Sequence, residues 1–221
     1  MNIRVYLILL FILISVEGKA FEPYSGISCN NLMKNGNIEF YFWDDIKGKN
    51  AFWHSSAHVL AQAILALYPQ AKLTIGPAIE NGFYYDVDFG DHSITEKELK
   101  DIEKKFLDFA GQKFEFKMRS ASKQEALDFY HKDENPYKIE LIENLEDGTI
   151  TFCDHADFTD LCRGGHIPHT GFIKAVKLLN VAGAYWRGDE NNKQLTRVYG
   201  ITFPKQKELT EYLELLEEAK K

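Results

Sequence analysis

The spacing of apolar and polar positions separates a short N-terminal apolar run from a body in which helical and strand-like segments alternate. Residues 5–16 (VYLILLFILISV) are almost uninterrupted apolar positions, the length of a signal-peptide core and too short to span a bilayer. From Gly26 the chain turns mixed and aromatic, and IEFYFWDD (38–45) followed by KGKN reads as a short strand entering a turn. Ala57, Leu60, Ala61, Ile64, Leu65 and Leu67 then recur at helical spacing, which predicts a helix over Ser55–Tyr68 that Pro69 ends. KLTIGPAIENGFYYDVDF holds two β-prone runs joined at Asn81-Gly82, a hairpin signal. Thr95, with Glu98 three positions on, is a capping box for a helix over Thr95–Ala110 whose apolar stripe is Ile102, Phe106 and Phe109.

KFEFKMR (113–119) alternates as a strand does, Ser122 caps a helix over KQEALDFYHKD, and Pro136 opens another over PYKIELIENL. After Asp147-Gly148 the runs TITFCDHADF, FIKAVKLLNVAGAYW and LTRVYGITF read as strands. Lys205–Lys221 is a polar helix with Leu209, Leu213 and Leu216 on one face. No internal repeat or low-complexity linker interrupts this body, so a single α+β domain is expected, an antiparallel sheet packed with helices.

Composition narrows the function. With 45% hydrophobic residues in 221, the chain can bury a sizeable core and is neither disordered nor collagen-like. The 33 acidic and 26 basic side chains give a net charge of −7, which argues against a nucleic-acid binder working by bulk electrostatics; any RNA contact should be local. Three cysteines, Cys29, Cys153 and Cys162, are too sparse for a disulfide framework and suggest a reducing compartment. A cytoplasmic location is therefore expected, with export through the apolar run as the alternative. EGKAFEP after that run is a poor cleavage site, which favours an aberrant start joined to a cytosolic domain.

Two pairs of side chains carry candidate chemistry. His54 and His58, at i and i+4, share one helix face and can address one point. Cys162 and His166 flank Arg163, Gly164 and Gly165 in DLCRGGH, where glycine lets the backbone approach closely. Either pair alone is more simply a coincidence of surface residues; both together in one small domain point to a shared site. Three chemistries fit: tetrahedral zinc, a Cys162 nucleophile activated by His166 or His58, or imidazoles that position and deprotonate water without a metal. Spacing does not separate them.

Lys138 could act as a base if desolvated, or be a solvated helix lysine. Asp160 could orient a histidine, hold a substrate hydroxyl or only cap its turn. Tyr84, Tyr85 and Asp86 are pocket or core residues. Lys113, Lys117 and Arg119 on one strand, and Arg187, Lys193 and Arg197 near a turn, could meet phosphates, although solvated faces are the plainer reading. His92, His131, His155 and His169 are read as surface or supporting residues, Cys29 as an incidental thiol and Cys153 as a packed small hydrophobe.

FWHSSAHVLAQAI, IGPAIENGFYYDVDF, NPYKIELIE, DLCRGGHIPHTGFIKAVKLLNVAGAYWRGD and QLTRVYGITFP, in that order over about residues 36–221, resemble the editing domain of bacterial threonyl-tRNA synthetase. The resemblance implies an editing-domain type of α+β fold and hydrolysis of the ester joining serine to the tRNA for threonine. It divides the chain into an apolar leader (1–25), a remnant of a ubiquitin-like domain (26–50), the editing domain (51–204) and the start of a linker helix (205–221). Nothing in the sequence corresponds to the aminoacylation core, so no ligase activity is expected. His54, His58, Cys162, His166, Lys138 and Asp160 match the family's catalytic positions, and Tyr85, Asp86, Arg163 and Gly164 are assigned to substrate binding.

The family implies no required metal and no cofactor, with zinc on His54, His58, Cys162 and His166 as the less favoured alternative. The implied partners are tRNA for threonine and a full-length synthetase, with no stable membrane partner. An editing site answers a physical need, because one methyl is worth only about 1–3 kcal/mol of discrimination. Gly165 departs from the pattern, since many relatives carry proline there. Two other functions are weighed: an inert ligase fragment that binds tRNA or a synthetase, and an exported zinc-binding protein.

Overall fold

Residues 41–221 are described in a computed structural model of the chain, so the apolar run, Cys29 and the first part of the 26–50 segment lie outside the described residues. Helix α1 spans Ile46–Leu67 and begins nine residues before the expected start. KGKN therefore forms the first turn of a helix, not a turn after a strand. Phe42 N–H donates to the Asp45 carboxylate (2.7 Å) and Asp45 N–H donates back to Phe42 O (3.0 Å), which reverses the chain just ahead of the helix. Gly48 permits the crossing, because a Cβ there would lie 1.8 Å from Phe42 O. From Ala51 to Ile64 every residue of α1 except His54 is buried, so this is a core helix and not a surface one.

The remaining elements follow in chain order as β1 (Lys72–Leu73), β2 (Ala78–Ile79), β3 (Gly82–Asp88), α2 (Glu96–Gly111), β4 (Lys117–Ser120), α3 (Lys123–Lys132), α4 (Pro136–Glu143), β5 (Thr151–His155), β6 (Phe158–Leu161), β7 (Ala175–Tyr185), β8 (Gln194–Phe203) and α5 (Gln206–Glu218). They form two antiparallel sheets. The larger is ordered β1-β3-β8-β7, with β2 also pairing with β3; the smaller is β4-β5-β6. This is the expected α+β architecture, with antiparallel sheets packed by helices.

Helices α1 and α2 cover the larger sheet. Phe52, Leu60 and Ile64 of α1 and Ile102 and Phe106 of α2 close a core with Phe83, Tyr85 and Val198 from the strands. The Thr95–Glu98 capping box of α2 is present as the sequence indicates. A second core joins α3 and α4 to the smaller sheet through Ala126, Tyr130, Ile142, Ile150 and Phe152. Ser122 and Asn135 cap these helices by accepting the N–H groups of Glu125 and Lys138.

The alternation in KFEFKMR yields a strand only from Lys117. Ahead of it, Lys113 takes a positive φ of 59°, and Phe114 N–H turns to Thr170 Oγ1 (3.1 Å), so this half follows residues 168–170 instead of β5. Phe172, expected in a strand, sits in a 3-10 turn over Thr170–Phe172. Trp186 likewise leaves its strand for a short turn in which Arg187 has φ 56°. On α5, Leu209 is buried while Leu213 and Leu216 are only partly covered. No helix among the described residues is long and apolar enough to cross a membrane.

Candidate active site

Two segments far apart in sequence build the centre of the site. Helix α1 supplies His54 and His58, and the loop leaving β6 supplies Cys162 and His166; their donor atoms all lie within 4.8 Å of one another. His54 stacks on His166 with ring centres 4.4 Å apart, and His58 meets His166 edge-on at 4.6 Å. Phe116 closes the far side of His166 at 4.9 Å, nearly parallel. The Cys162 sulfur lies 3.1 Å from His166 Nε2 and 3.5 Å from His54 Nε2, and it accepts the Gly164 N–H at 3.2 Å.

The loop takes this shape because Gly164 and Gly165 both adopt positive φ, 93° and 87°, which side-chain-bearing residues rarely occupy. Proline, fixed near −65°, cannot adopt the Gly165 conformation. Thr151 anchors the turn by donating its hydroxyl to Cys162 O, and Cys162 N–H returns to Thr151 O at 3.0 Å.

A buried ionic group lies beside the cluster. Lys138 and Asp160 pair at 2.5 Å, with side chains only 3% and 5% exposed. The Asp160 carboxylate also accepts the hydroxyls of Tyr85 (2.6 Å) and Tyr130 (3.2 Å), and Tyr130 oxygen accepts the Leu161 N–H (2.8 Å). Every contact here is a charged or capped hydrogen bond, as burial of an ion pair requires. Asn135 fixes the base of Lys138 by capping α4 while its amide donates to Leu73 O.

A cavity of about 470 Å³ connects the two groups; His54, His58, Tyr85, Lys138, Asp160 and Cys162 line it, and exposed Arg163 sits at its rim. A neighbouring hollow of about 420 Å³ shares His54 and is lined by Gly164 and Gly165. His166 lies behind the wall, against Ser55.

Burial sets the protonation states. It is the first cause that lowers His54, His58 and His166 below the ordinary imidazole range; mutual repulsion among the rings adds to it for His58 and His166. All three are neutral at pH 7. Burial likewise pushes the Cys162 thiol up to about 12, against the opposing pull of the Gly164 N–H.

Asp86, assigned by resemblance to the substrate, does not reach the cavity. It alternates with Tyr85 along β3 and faces the other way, where Arg197 holds it bidentately at 2.7 and 2.8 Å. Arg197 also covers the Tyr84 ring at 3.8 Å, which places Tyr84 in structural packing. Both basic sets are largely engaged with acids. Lys117 meets Glu115, and Arg119 meets Asp154 and Glu125; Arg187 meets Glu140, and Lys193 meets Asp88 at 3.9 Å. Gly164 contributes its N–H and its backbone turn. Cys153 is a buried thiol on β5, in register with Met118 of β4, as its neighbours suggested.

Two residues at the site have no counterpart in the sequence reading. Ser55 lies between the two histidines in sequence and bonds His166, and it is one of several buried polar residues of α1, with Ser56 and Gln62, which gives it no signal of its own. Tyr130 reaches Asp160 from α3 by tertiary packing, which nothing local announces.

Residues 150–199, which include Cys162 and His166, match the threonyl and alanyl tRNA synthetase second additional domain. The chain is 69% identical over 190 residues to the threonine–tRNA ligase of Flavobacterium johnsoniae, covering 86% of this chain and 29% of that protein. The chain is homologous to the editing region of threonyl-tRNA synthetases. The threonine–tRNA ligases of Cytophaga hutchinsonii and Porphyromonas gingivalis are 57% and 58% identical, each match covering 93% of this chain and 31% of the ligase. The chain thus spans about 30% of the length of the threonyl-tRNA synthetases it matches. His54, His58 and Lys138 fall outside the 150–199 match and within the longer stretch that is similar to the ligases.

Proposed function

We propose that the cavity hydrolyses the ester of serine mischarged on the tRNA for threonine. The observation that carries this reading is the convergence of neutral His54, His58 and His166, a Cys162 thiol and the Lys138–Asp160 pair around one cavity, in a chain homologous to a synthetase editing region. A water held by His54 and His58 attacks the ester carbonyl, and one imidazole takes its proton. The bond from the carbonyl carbon to the ribose oxygen breaks, and the proton passes to that oxygen. The products are free serine and uncharged tRNA.

Cys162 serves as a hydrogen-bonding partner and not as the nucleophile. With its thiol at about 12, only about one in 10⁵ is thiolate at pH 7. The Lys138–Asp160 pair gives the cavity a fixed dipole, and the Tyr85 hydroxyl bonded to Asp160 forms part of its wall. Arg163 at the rim meets the RNA end locally, in keeping with a net charge of −7. The reaction needs neither metal nor cofactor. It takes place in the cytoplasm, on tRNA for threonine released by or held on a full-length synthetase.

Zinc is the second reading, favoured by one observation: four nitrogen and sulfur donors sit within 4.8 Å, close to what a tetrahedral ion gathers. The deciding experiment measures deacylation of seryl-tRNA and threonyl-tRNA, both on the tRNA for threonine, with His58→Ala and a chelator alongside. The expected result is loss of serine only, slowed about 10²–10⁴-fold by His58→Ala and unchanged by the chelator. Inhibition by the chelator would establish the zinc reading. No hydrolysis above the variant would leave a protein that binds tRNA or a synthetase without turnover.

A further inference from the structure

Ser55 is a buried serine on α1, between His54 and His58, and its oxygen makes three contacts. Its hydroxyl donates to Ala51 O at 2.7 Å, one turn back along the helix. The same oxygen accepts the Ile167 N–H at 3.0 Å and lies 3.1 Å from His166 Nδ1. A serine hydroxyl has a single proton and two lone pairs. The proton is committed to Ala51 and one lone pair to Ile167, so only the second lone pair remains for His166. A contact between a lone pair and Nδ1 is a hydrogen bond only if Nδ1 carries hydrogen.

We propose that Ser55 is a positioning residue that holds His166 as the Nδ1–H tautomer and so leaves Nε2 bare. A neutral imidazole carries one N–H, so the proton fixed at Nδ1 is absent from Nε2. Nε2 is the atom that faces the site, 3.1 Å from the Cys162 sulfur, where it accepts the thiol proton. Phe116 and His54 stack on the ring and hold it against a flip, which would put carbons where Nδ1 and Nε2 now stand. The consequence is a directed chain, from His166 Nδ1–H to Ser55 to Ala51 O on one side and from Cys162 S–H to His166 Nε2 on the other. The Cys162 sulfur is then free to accept the Gly164 N–H. Ser55 thus acts on the reaction through His166, orienting the Cys162 thiol toward the imidazole and its lone pairs toward the backbone. The activity part of this inference rests on the hydrolytic reading; the tautomer does not.

The test is side-chain nitrogen NMR on the full chain labelled at histidine, with the His166 resonances assigned by comparison with His166→Gln. The unsubstituted protein should show a pyrrole-like Nδ1 and a pyridine-like Nε2. Ser55→Thr retains the hydroxyl and should preserve that pattern. Ser55→Ala should lose it toward a mixture of tautomers and slow seryl-tRNA hydrolysis about tenfold, a loss that Ser55→Thr largely restores. A pyrrole-like Nε2, or a ring carrying protons on both nitrogens, in the unsubstituted protein overturns the proposal, and this spectrum decides it even if Ser55→Ala fails to fold. An unchanged His166 pattern in folded Ser55→Ala overturns it as well. If the unsubstituted chain shows the expected tautomer but no hydrolysis, the functional reading fails while the positioning by Ser55 stands.

Discussion

Removing one partner of the Lys138–Asp160 pair should cost far more than its surface counterparts would. Both side chains are at most 5% exposed, and the Asp160 carboxylate accepts one ammonium and two tyrosine hydroxyls, with no water needed to complete it. Asp160→Asn keeps the shape and one acceptor oxygen but leaves the Lys138 ammonium with no opposite charge. A buried charge stripped of its partner costs about 3–5 kcal/mol. For a domain of this size, that lowers the melting temperature by about 6–20 °C. Exposed pairs such as Lys207 with Glu211 should contribute about 0–1 kcal/mol. The assay is urea unfolding of Asp160→Asn, Lys138→Met and the double variant Lys138→Met/Asp160→Asn, read as a double-mutant cycle. The double variant should recover most of the loss, because it carries no buried charge. Hydrolysis should be lost in all three, which would separate the pair's role in the site from its share of stability. A cost below about 1 kcal/mol for both single variants would refute the reasoning, since it would mean that water reaches the pair.

His155 is 1% exposed, neither of its ring nitrogens has a hydrogen-bond partner, and burial holds it down to about 4. Between about pH 4 and 6.5 the unfolded chain binds a proton there that the folded chain does not, so stability falls as pH drops through this window, by about 1.4 kcal/mol per unit from His155 alone. His155→Leu should remove that slope and raise stability at pH 7 by about 1–3 kcal/mol; equal acid slopes in variant and parent, by urea unfolding from pH 4 to 7, would contradict this. Gly165→Ala should cost about 1–2 kcal/mol from backbone strain alone, because nothing lies within 4 Å of the added methyl. Gly111→Ala, equally open but at the end of α2, should cost nothing in the same thermal melt, and equal costs at the two sites would remove the φ argument.

The local signals in the sequence carried most of the fold. Capping residues and turn glycines act within a few positions of themselves, so Thr95, Ser122, Pro136 and the Asn81-Gly82 hairpin are legible without neighbours. The early start of α1 was not, because it depends on Gly48 passing against Phe42, a contact between a segment that reads as a strand and one that reads as a turn. Of the site, the residues with motif spacing were legible: the two histidines one turn apart on α1 and the cysteine and histidine across a glycine turn. Asp86 was misplaced because alternation along β3 decides which face a residue takes, and Tyr85 and Asp86 cannot both face one cavity. Tyr130 and Ser55 escaped notice because their value lies in which atoms they touch, and that is fixed only when α3 and the Cys162 loop come to rest.

Cys162 and His54 touch across a separation of 108 residues. No contiguous stretch of this chain contains the site, and the order of synthesis therefore matters. On a ribosome adding about 5–20 residues per second, α1 emerges roughly 5–20 s before the loop that completes its active face. Throughout that interval, a helix buried on almost every side in the finished protein lacks β8, whose Thr202 hydrogen-bonds Trp53 and Ser56. Mutations that weaken the late strands should therefore show first as nascent chains captured by chaperones, before any loss is visible in the purified protein.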